Sequence, residues 1–161
     1  MYPAVVVALM GAFPIASIAI EAFVSRGGVD VLVLVGKWFV FWSVGARLLL
    51  AGARQIVNPS FTANAIFGLK ETGALVIVQE LGFANVSIGM LGALTLATPT
   101  WIAPAAIVGG LFYGLAGAMH LTKGDRNANE NIAMISDLWI FLVLAGFLAA
   151  TAARSGGWNG F

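Results

Sequence analysis

The chain has 161 residues, of which 60% are hydrophobic and 9% charged, and its mean hydropathy is +0.96. A soluble domain carries about 25% charged residues, so this composition excludes an ordinary water-soluble globule. The net charge of +1 provides no basic surface for nucleic acid. The chain has no cysteine and one histidine, which excludes disulfides, thiol catalysis and cysteine- or histidine-rich metal sites. We therefore expect a membrane protein that uses no metal and no cofactor.

Five apolar stretches are long enough to cross a bilayer, whose hydrocarbon core of about 30 Å needs about 20 helical residues. They predict an all-α transmembrane helix bundle that forms a single domain over residues 1–161. The predicted spans are about 2–23, 31–57, 72–97, 101–121 and 131–153. Because no Lys or Arg precedes Arg26, the first stretch does not resemble a cleaved signal, and we expect a retained helix. The segment from Asn58 to Lys70 is too short to span and is predicted to lie at the membrane surface.

The basic residues near the span ends predict the orientation. Four lie on the side of the second and fourth connections and three on the other side: Arg54, Lys70, Lys123 and Arg126 against Arg26, Lys37 and Arg154. Because cytoplasmic loops carry the excess of Lys and Arg, this distribution favours a cytoplasmic N-terminus and an external C-terminus. The expected location is the inner (plasma) membrane.

Ionisable residues of four predicted spans fall in one layer of the membrane. Counting about 1.5 Å per residue puts Arg47 near the middle of the second span, with Glu80 and Asp137 at nearly equal depth in the third and fifth. Arg54 and His120 lie somewhat closer to the cytoplasmic side. Two arginines and two carboxylates balance in charge, so the sequence predicts a buried polar cluster. The polar residues that extend it are Gln79, Gln55, Glu130 and Asn85.

Three interpretations of this cluster remain open. It can be a static salt-bridge network that fixes helix register, in which case Glu80→Gln would prevent folding. It can be a pocket for a lipid headgroup, a quinone or a small solute, or part of a proton or ion path. On the opposite side, Lys37 could pair with Glu21 or Asp30, but snorkelling of Lys37 to the headgroups is the expectation.

The fourth predicted span carries small residues at every fourth position: Ala106, Gly110, Gly114 and Ala118. Such a stripe lets another helix backbone approach closely. We expect it to pack within the chain, with contact between chains as the alternative. Gly82, Gly89 and Gly92 on the third span fit the same role.

Two segments carry a resemblance to known membrane proteins. Residues 45–52 place Arg47 between glycines, and residues 80–89 begin with Glu80 and continue through Asn85. This arrangement resembles the DoxX-like group of small four-helix membrane proteins. It is also similar to an uncharacterised family of small bacterial integral membrane proteins, through residues 80–85, 113–120 and 130–137. Some DoxX relatives are associated with quinone-linked sulfur oxidation, so the resemblance implies that Arg47 and Glu80 form the core of a polar site.

The expected function is that of a non-catalytic accessory or scaffold subunit of a membrane complex. Its expected partners are membrane lipids, a quinone- or lipid-like ligand, and a second copy or a larger complex, but no nucleic acid. The alternative is a small transporter or proton-conducting protein that uses Glu80 and Asp137. A membrane-embedded enzyme has the least support, because no catalytic motif is present.

Overall fold

The computed structural model describes residues 2–66 and 72–155, and within these ranges all regular structure is helical. Five helices are long and apolar enough to cross a membrane: Pro3–Val24, Val31–Val57, Gly73–Leu94, Pro99–Thr122 and Ala128–Arg154. They are called the first to fifth helices below. The prediction of an all-α bundle with five spans is confirmed. Residues 67–71 and 156–161 lie outside the described part of the chain. They include Lys70, one of the basic residues from which the orientation was predicted.

Two of the five helices change their winding along their length. The first consists of Tyr2–Val7, a π-helical segment Ala8–Ala12 and Phe13–Val24. The second consists of Val31–Phe39, a π-helical segment and Arg47–Val57. The remaining helical elements are Phe61–Ile66, Thr72–Leu94, the 3₁₀ turn Pro99–Trp101, Ile102–Thr122 and Ala128–Ser155. Such π-helical segments leave carbonyl groups available for other partners, often near functional sites.

The fifth and second helices each donate a side-chain hydrogen bond to a carbonyl group of the first helix, about one turn before Pro14. Proline has no N–H, so Pro14 donates no hydrogen bond to the carbonyl of Met10, four residues earlier, or to that of Leu9, five residues earlier. The Trp139 indole donates to the Met10 carbonyl over 3.0 Å, and the Ser43 hydroxyl donates to the Leu9 carbonyl over 3.3 Å. These two contacts join the fifth and second helices to the first at the point where Pro14 interrupts its backbone hydrogen bonding.

The second and third helices pack backbone against backbone. A Cβ atom added at Gly52 would lie 2.6 Å from the carbonyl oxygen of Gly82, and one added at Gly92 would lie 2.6 Å from the amide nitrogen of Gly45. Gly89 meets the second helix in the same way. Small residues permit this close approach of membrane helices, as predicted for the glycines of the third span.

The small-residue stripe of the fourth helix faces the fifth helix over part of its length. Ala106 is buried, and Gly110 and Gly114 contact side chains of the fifth helix, so the predicted packing within the chain is confirmed for them. Ala118 is exposed and so does not pack within the chain, and Gly117 contacts the fifth helix instead. Each four-residue step turns the helix about 40° beyond a full circle, so a stripe at this spacing drifts off the contact face.

Polar contacts join the helices at the end where the first and second helices connect. Lys37 Nζ lies 2.7 Å from a carboxylate oxygen of Glu21, and the Trp38 indole donates to the same carboxylate over 2.6 Å. Lys37 therefore pairs within the protein, and the prediction that it snorkels to the headgroups is wrong. Asp30 forms a salt bridge with Arg154 nearby.

The short segment Phe61–Ile66 lies at the opposite end of the bundle and contacts the third and fifth helices. Thr62 and Ala63 are buried there. The described part of the predicted surface segment thus packs across the ends of these helices.

Candidate ligand-binding site

A cavity of about 620 Å³ lies among the second, third, fourth and fifth helices. This central cavity has the size of sites that take one drug-sized molecule, which measure about 300–1,000 Å³. Its walls are mainly apolar, and its largest apolar side chains are Leu48, Ile77, Leu81, Phe112 and Met119. Its polar residues are Arg47, Gln55, Thr62, Asn85, Tyr113, His120, Thr122, Lys123, Glu130 and Asp137.

The helix register separates these polar residues by depth. Val44 packs against Gly109 near the middle of the bundle. At about 1.5 Å per residue, Arg47 lies about 5 Å from this level, on the side of the loop of residues 123–127. On the same side, Asn85 lies about 10 Å and His120 about 16 Å from this level. The cavity therefore has polar groups both near the middle of the membrane and near its surface on the loop side.

Near the surface, a buried carboxylate is held by two basic side chains. The Glu130 side chain is 2% exposed, and it accepts a hydrogen bond from Lys123 Nζ over 2.8 Å. His120 Nδ1 lies 3.3 Å from the same oxygen. We call these three residues the mouth cluster. A carboxylate removed from water needs such partners, because burial of an uncompensated charge is strongly unfavourable.

Hydrogen bonds hold both ends of the loop of residues 123–127 to the neighbouring helices and so position the mouth cluster. The Arg126 guanidinium donates to the His120 carbonyl over 2.9 Å and so caps the end of the fourth helix. The Asn127 side chain accepts from the Glu130 amide over 3.0 Å and caps the start of the fifth. Asn is among the preferred residues for this N-cap position, because its oxygen satisfies an otherwise unpaired amide.

Deeper in the cavity, an amide pair joins the second and third helices. Asn85 Nδ2 donates to Gln55 Oε1 over 2.7 Å, and both side chains are buried. Asn85 Oδ1 is buried and has no hydrogen-bond partner among the described residues. Buried polar atoms in folded proteins are nearly always hydrogen-bonded, so this acceptor marks a place where a further donor is expected.

Three other groups complete the deep end. The Tyr113 hydroxyl donates to the Ser43 carbonyl in the π-helical segment of the second helix. Arg47 and Asp137 both line the cavity, and their side chains have opposite formal charges.

The structure brings together four of the predicted site residues and leaves three outside. Arg47, Asn85, His120 and Asp137 line the central cavity. The residues outside it are Arg54, Gln79 and Glu80. Gln79 is half-buried and donates to the Ile56 carbonyl over 3.2 Å.

Glu80 and Arg54 are exposed, so the prediction that they join the buried cluster is wrong. Gly82 and Gly52 face each other across the second and third helices. A step of two residues rotates a helix by about 200°, so Glu80 and Arg54 point away from this contact. Arg54 lies over the ring of Phe61 instead, with 3.7 Å from its guanidinium carbon to the ring centroid.

Four polar residues of the cavity were not among the predicted site residues: Thr62, Tyr113, Thr122 and Lys123. Tyr113 precedes His120 by seven residues, which is about two helical turns and puts both on one face of the fourth helix. The spacing in the sequence could therefore have indicated that Tyr113 lies on the same side as His120. Lys123 lies beyond the helix end, and the loop conformation alone brings it to Glu130.

Comparison with protein-family models, with curated proteins and with solved structures gave no match for the chain. The resemblance to DoxX-like proteins therefore stays a prediction. Among the residues that the structure describes, no three His, Asp or Glu side chains converge as metal ligands would. The geometry of the central cavity thus carries the functional argument.

Proposed function

We propose that this protein is a non-catalytic membrane protein that holds one lipid- or quinone-like molecule in the central cavity. The observation that carries the proposal is the combination of apolar walls with an unsatisfied, buried acceptor, Asn85 Oδ1, at the deep end. Small-molecule sites have this composition, with mostly apolar lining and a few polar groups that fix orientation. An amphipathic molecule matches both parts.

Access from the membrane supports the same proposal. The third helix packs mainly on the second, and the fourth mainly on the fifth, which leaves a seam between the third and fourth. Ile77 and Met119 line the cavity, and they are 68% and 76% exposed, respectively. The cavity therefore opens between the third and fourth helices on the loop side of the bundle, where a membrane lipid or quinone can enter it.

An accessory role in a membrane complex, or an oligomer, is the second part of the proposal. Glu80 is exposed on the same helix as the exposed apolar residues Ile77 and Phe83. A carboxylate beside a lipid-facing surface is stabilised at headgroup level or by a cation of a partner. We further propose an inner-membrane location with a cytoplasmic N-terminus, because Arg54, Lys123 and Arg126 lie on the loop side.

A small transporter or proton-conducting protein is the alternative. Asp137 and Glu130 both line the cavity and are seven residues, or about 10 Å, apart on the fifth helix. Glu80 lies outside the cavity and no longer contributes to this alternative. Conduction would require Asp137→Asn to abolish flux in liposomes while the variant remains folded.

Blocking the cavity tests the leading proposal. Ala116 lines the cavity, whereas Ala118 is exposed on the same helix, so Ala116→Trp and Ala118→Trp form a matched pair. Protein purified from its own membrane in mild detergent is analysed by native mass spectrometry. We expect a bound small molecule on the wild type and on Ala118→Trp, and its loss from Ala116→Trp.

The same molecule on both tryptophan variants would refute binding in the central cavity. A bare wild-type protein would also count against the proposal. In that case, flux that depends on Asp137 would favour the transporter alternative.

A further inference from the structure

We infer that the molecule held in the central cavity is an uncharged amphiphile with a hydroxyl head, and that this hydroxyl donates a hydrogen bond to Asn85 Oδ1. The inference rests on the proposed function and specifies its ligand. It starts from Asn85, which is 3% exposed and lines the cavity. Its amide oxygen has no hydrogen-bond partner among the described residues.

The missing hydrogen-bond partner of Asn85 Oδ1 indicates the chemistry of the ligand's head group. Gln55 Oε1 accepts the Asn85 Nδ2 donor over 2.7 Å, which fixes the side chain and leaves the oxygen directed elsewhere. An acceptor is satisfied only by a donor. Alcohols, quinols and partially esterified glycerols supply an O–H, whereas esters, quinones and carboxylates supply acceptors only.

The charges around the cavity argue against an ionised head. Glu130 is already held by Lys123 and His120 in the mouth cluster. Arg47 and Asp137, whose formal charges are opposite, also line the cavity. The described lining thus has as many acidic side chains as permanent cations, so its formal charges provide no excess of either sign for an ionised head in a low-dielectric site.

The surroundings of Asn85 fix the direction of the tail. Leu81 and Val78 lie one and two turns before Asn85 on the cavity side of the third helix. Ile77 follows them at the exposed seam beside the fourth helix. A single alkyl or isoprenoid chain that starts at Asn85 can therefore follow this apolar wall to the seam on the loop side of the bundle, and the cavity of about 620 Å³ suits one such chain.

Three probes with the same chain and different heads test this inference on the full-length protein. They are 1-dodecanol, which donates and accepts, methyl dodecanoate, which only accepts, and dodecanoate, which is charged. Each is titrated and quantified by native mass spectrometry. We expect 1-dodecanol to bind about five- to tenfold more tightly than methyl dodecanoate, as one hydrogen bond to a buried acceptor implies.

Asn85→Leu should remove this preference, whereas Ser87→Ala, an exposed position on the same helix, should keep it. The comparison of probes on the wild type remains decisive if Asn85→Leu does not fold. Equal or tighter binding of either other probe would overturn the hydroxyl head, as would failure of 1-dodecanol to bind. The proposed function is tested separately, by whether the copurified molecule is lost from Ala116→Trp.

Discussion

Replacing Gly52 by alanine tests the backbone contact that holds the second and third helices together. The added Cβ would lie 2.6 Å from the Gly82 carbonyl oxygen and 2.8 Å from the Val86 amide nitrogen. Ordinary van der Waals contact begins at 3.4 Å, so the oxygen contact falls 0.8 Å short of it. Backbone atoms of a packed helix cannot rotate away, so the helices must separate. We expect a loss of about 1–3 kcal/mol in the free energy of unfolding, the usual cost of overpacking.

The same separation should reach the candidate site. Gln55 lies one turn after Gly52 and bonds Asn85 over 2.7 Å. A shift of 0.8 Å along this direction would lengthen the bond to about 3.5 Å, at the limit of a hydrogen bond. Gly52→Ala should therefore weaken retention of the bound molecule as well as stability.

Gly146→Ala is the matched control, because a Cβ at this exposed position of the fifth helix would meet no atom of another described element within 4 Å. Alanine favours a helix over glycine by about 1 kcal/mol, so this variant should be at least as stable as the wild type. Unfolding in detergent is followed by tryptophan fluorescence. If Gly52→Ala unfolds at the same point as Gly146→Ala, the close backbone approach is not what stabilises this helix pair.

Three further substitutions address other contacts. Trp139→Phe removes the indole donor to the Met10 carbonyl and should cost about 1 kcal/mol in unfolding, whereas Trp101→Phe, at a side chain of similar exposure (42% against 46%), should change little. Equal effects of the two substitutions would show that the contact with the carbonyl does not stabilise the protein. A double-mutant cycle of Lys123→Met and Glu130→Gln should give a coupling above about 1 kcal/mol, since the carboxylate is buried; a coupling near zero would exclude a stabilising pair. Glu80→Gln should leave stability within about 0.5 kcal/mol, because this side chain is exposed, and failure to fold would restore the static-network interpretation.

The sequence predicted the class of protein and much of the candidate site. Apolar stretches of about 20 residues have few structural solutions other than membrane helices, so span number and limits follow from composition. Charged and amide residues inside such spans are costly and are usually kept in the interior. In the structure, Arg47, Asn85, His120 and Asp137 line one cavity, where this reasoning expected a polar cluster.

The rotation of each helix was decided only by the tertiary structure. In water, the apolar face of a helix identifies its buried side, but in a membrane the lipid-facing side is equally apolar. The sequence therefore does not distinguish Glu80 from Asn85, although Glu80 is exposed and Asn85 is buried, with 3% of its surface exposed. The glycine contact at Gly82 sets this rotation. Lys123 likewise reaches Glu130 only through a loop conformation. Depth is a count along the chain, which sequence provides, whereas direction depends on which neighbour each helix packs against.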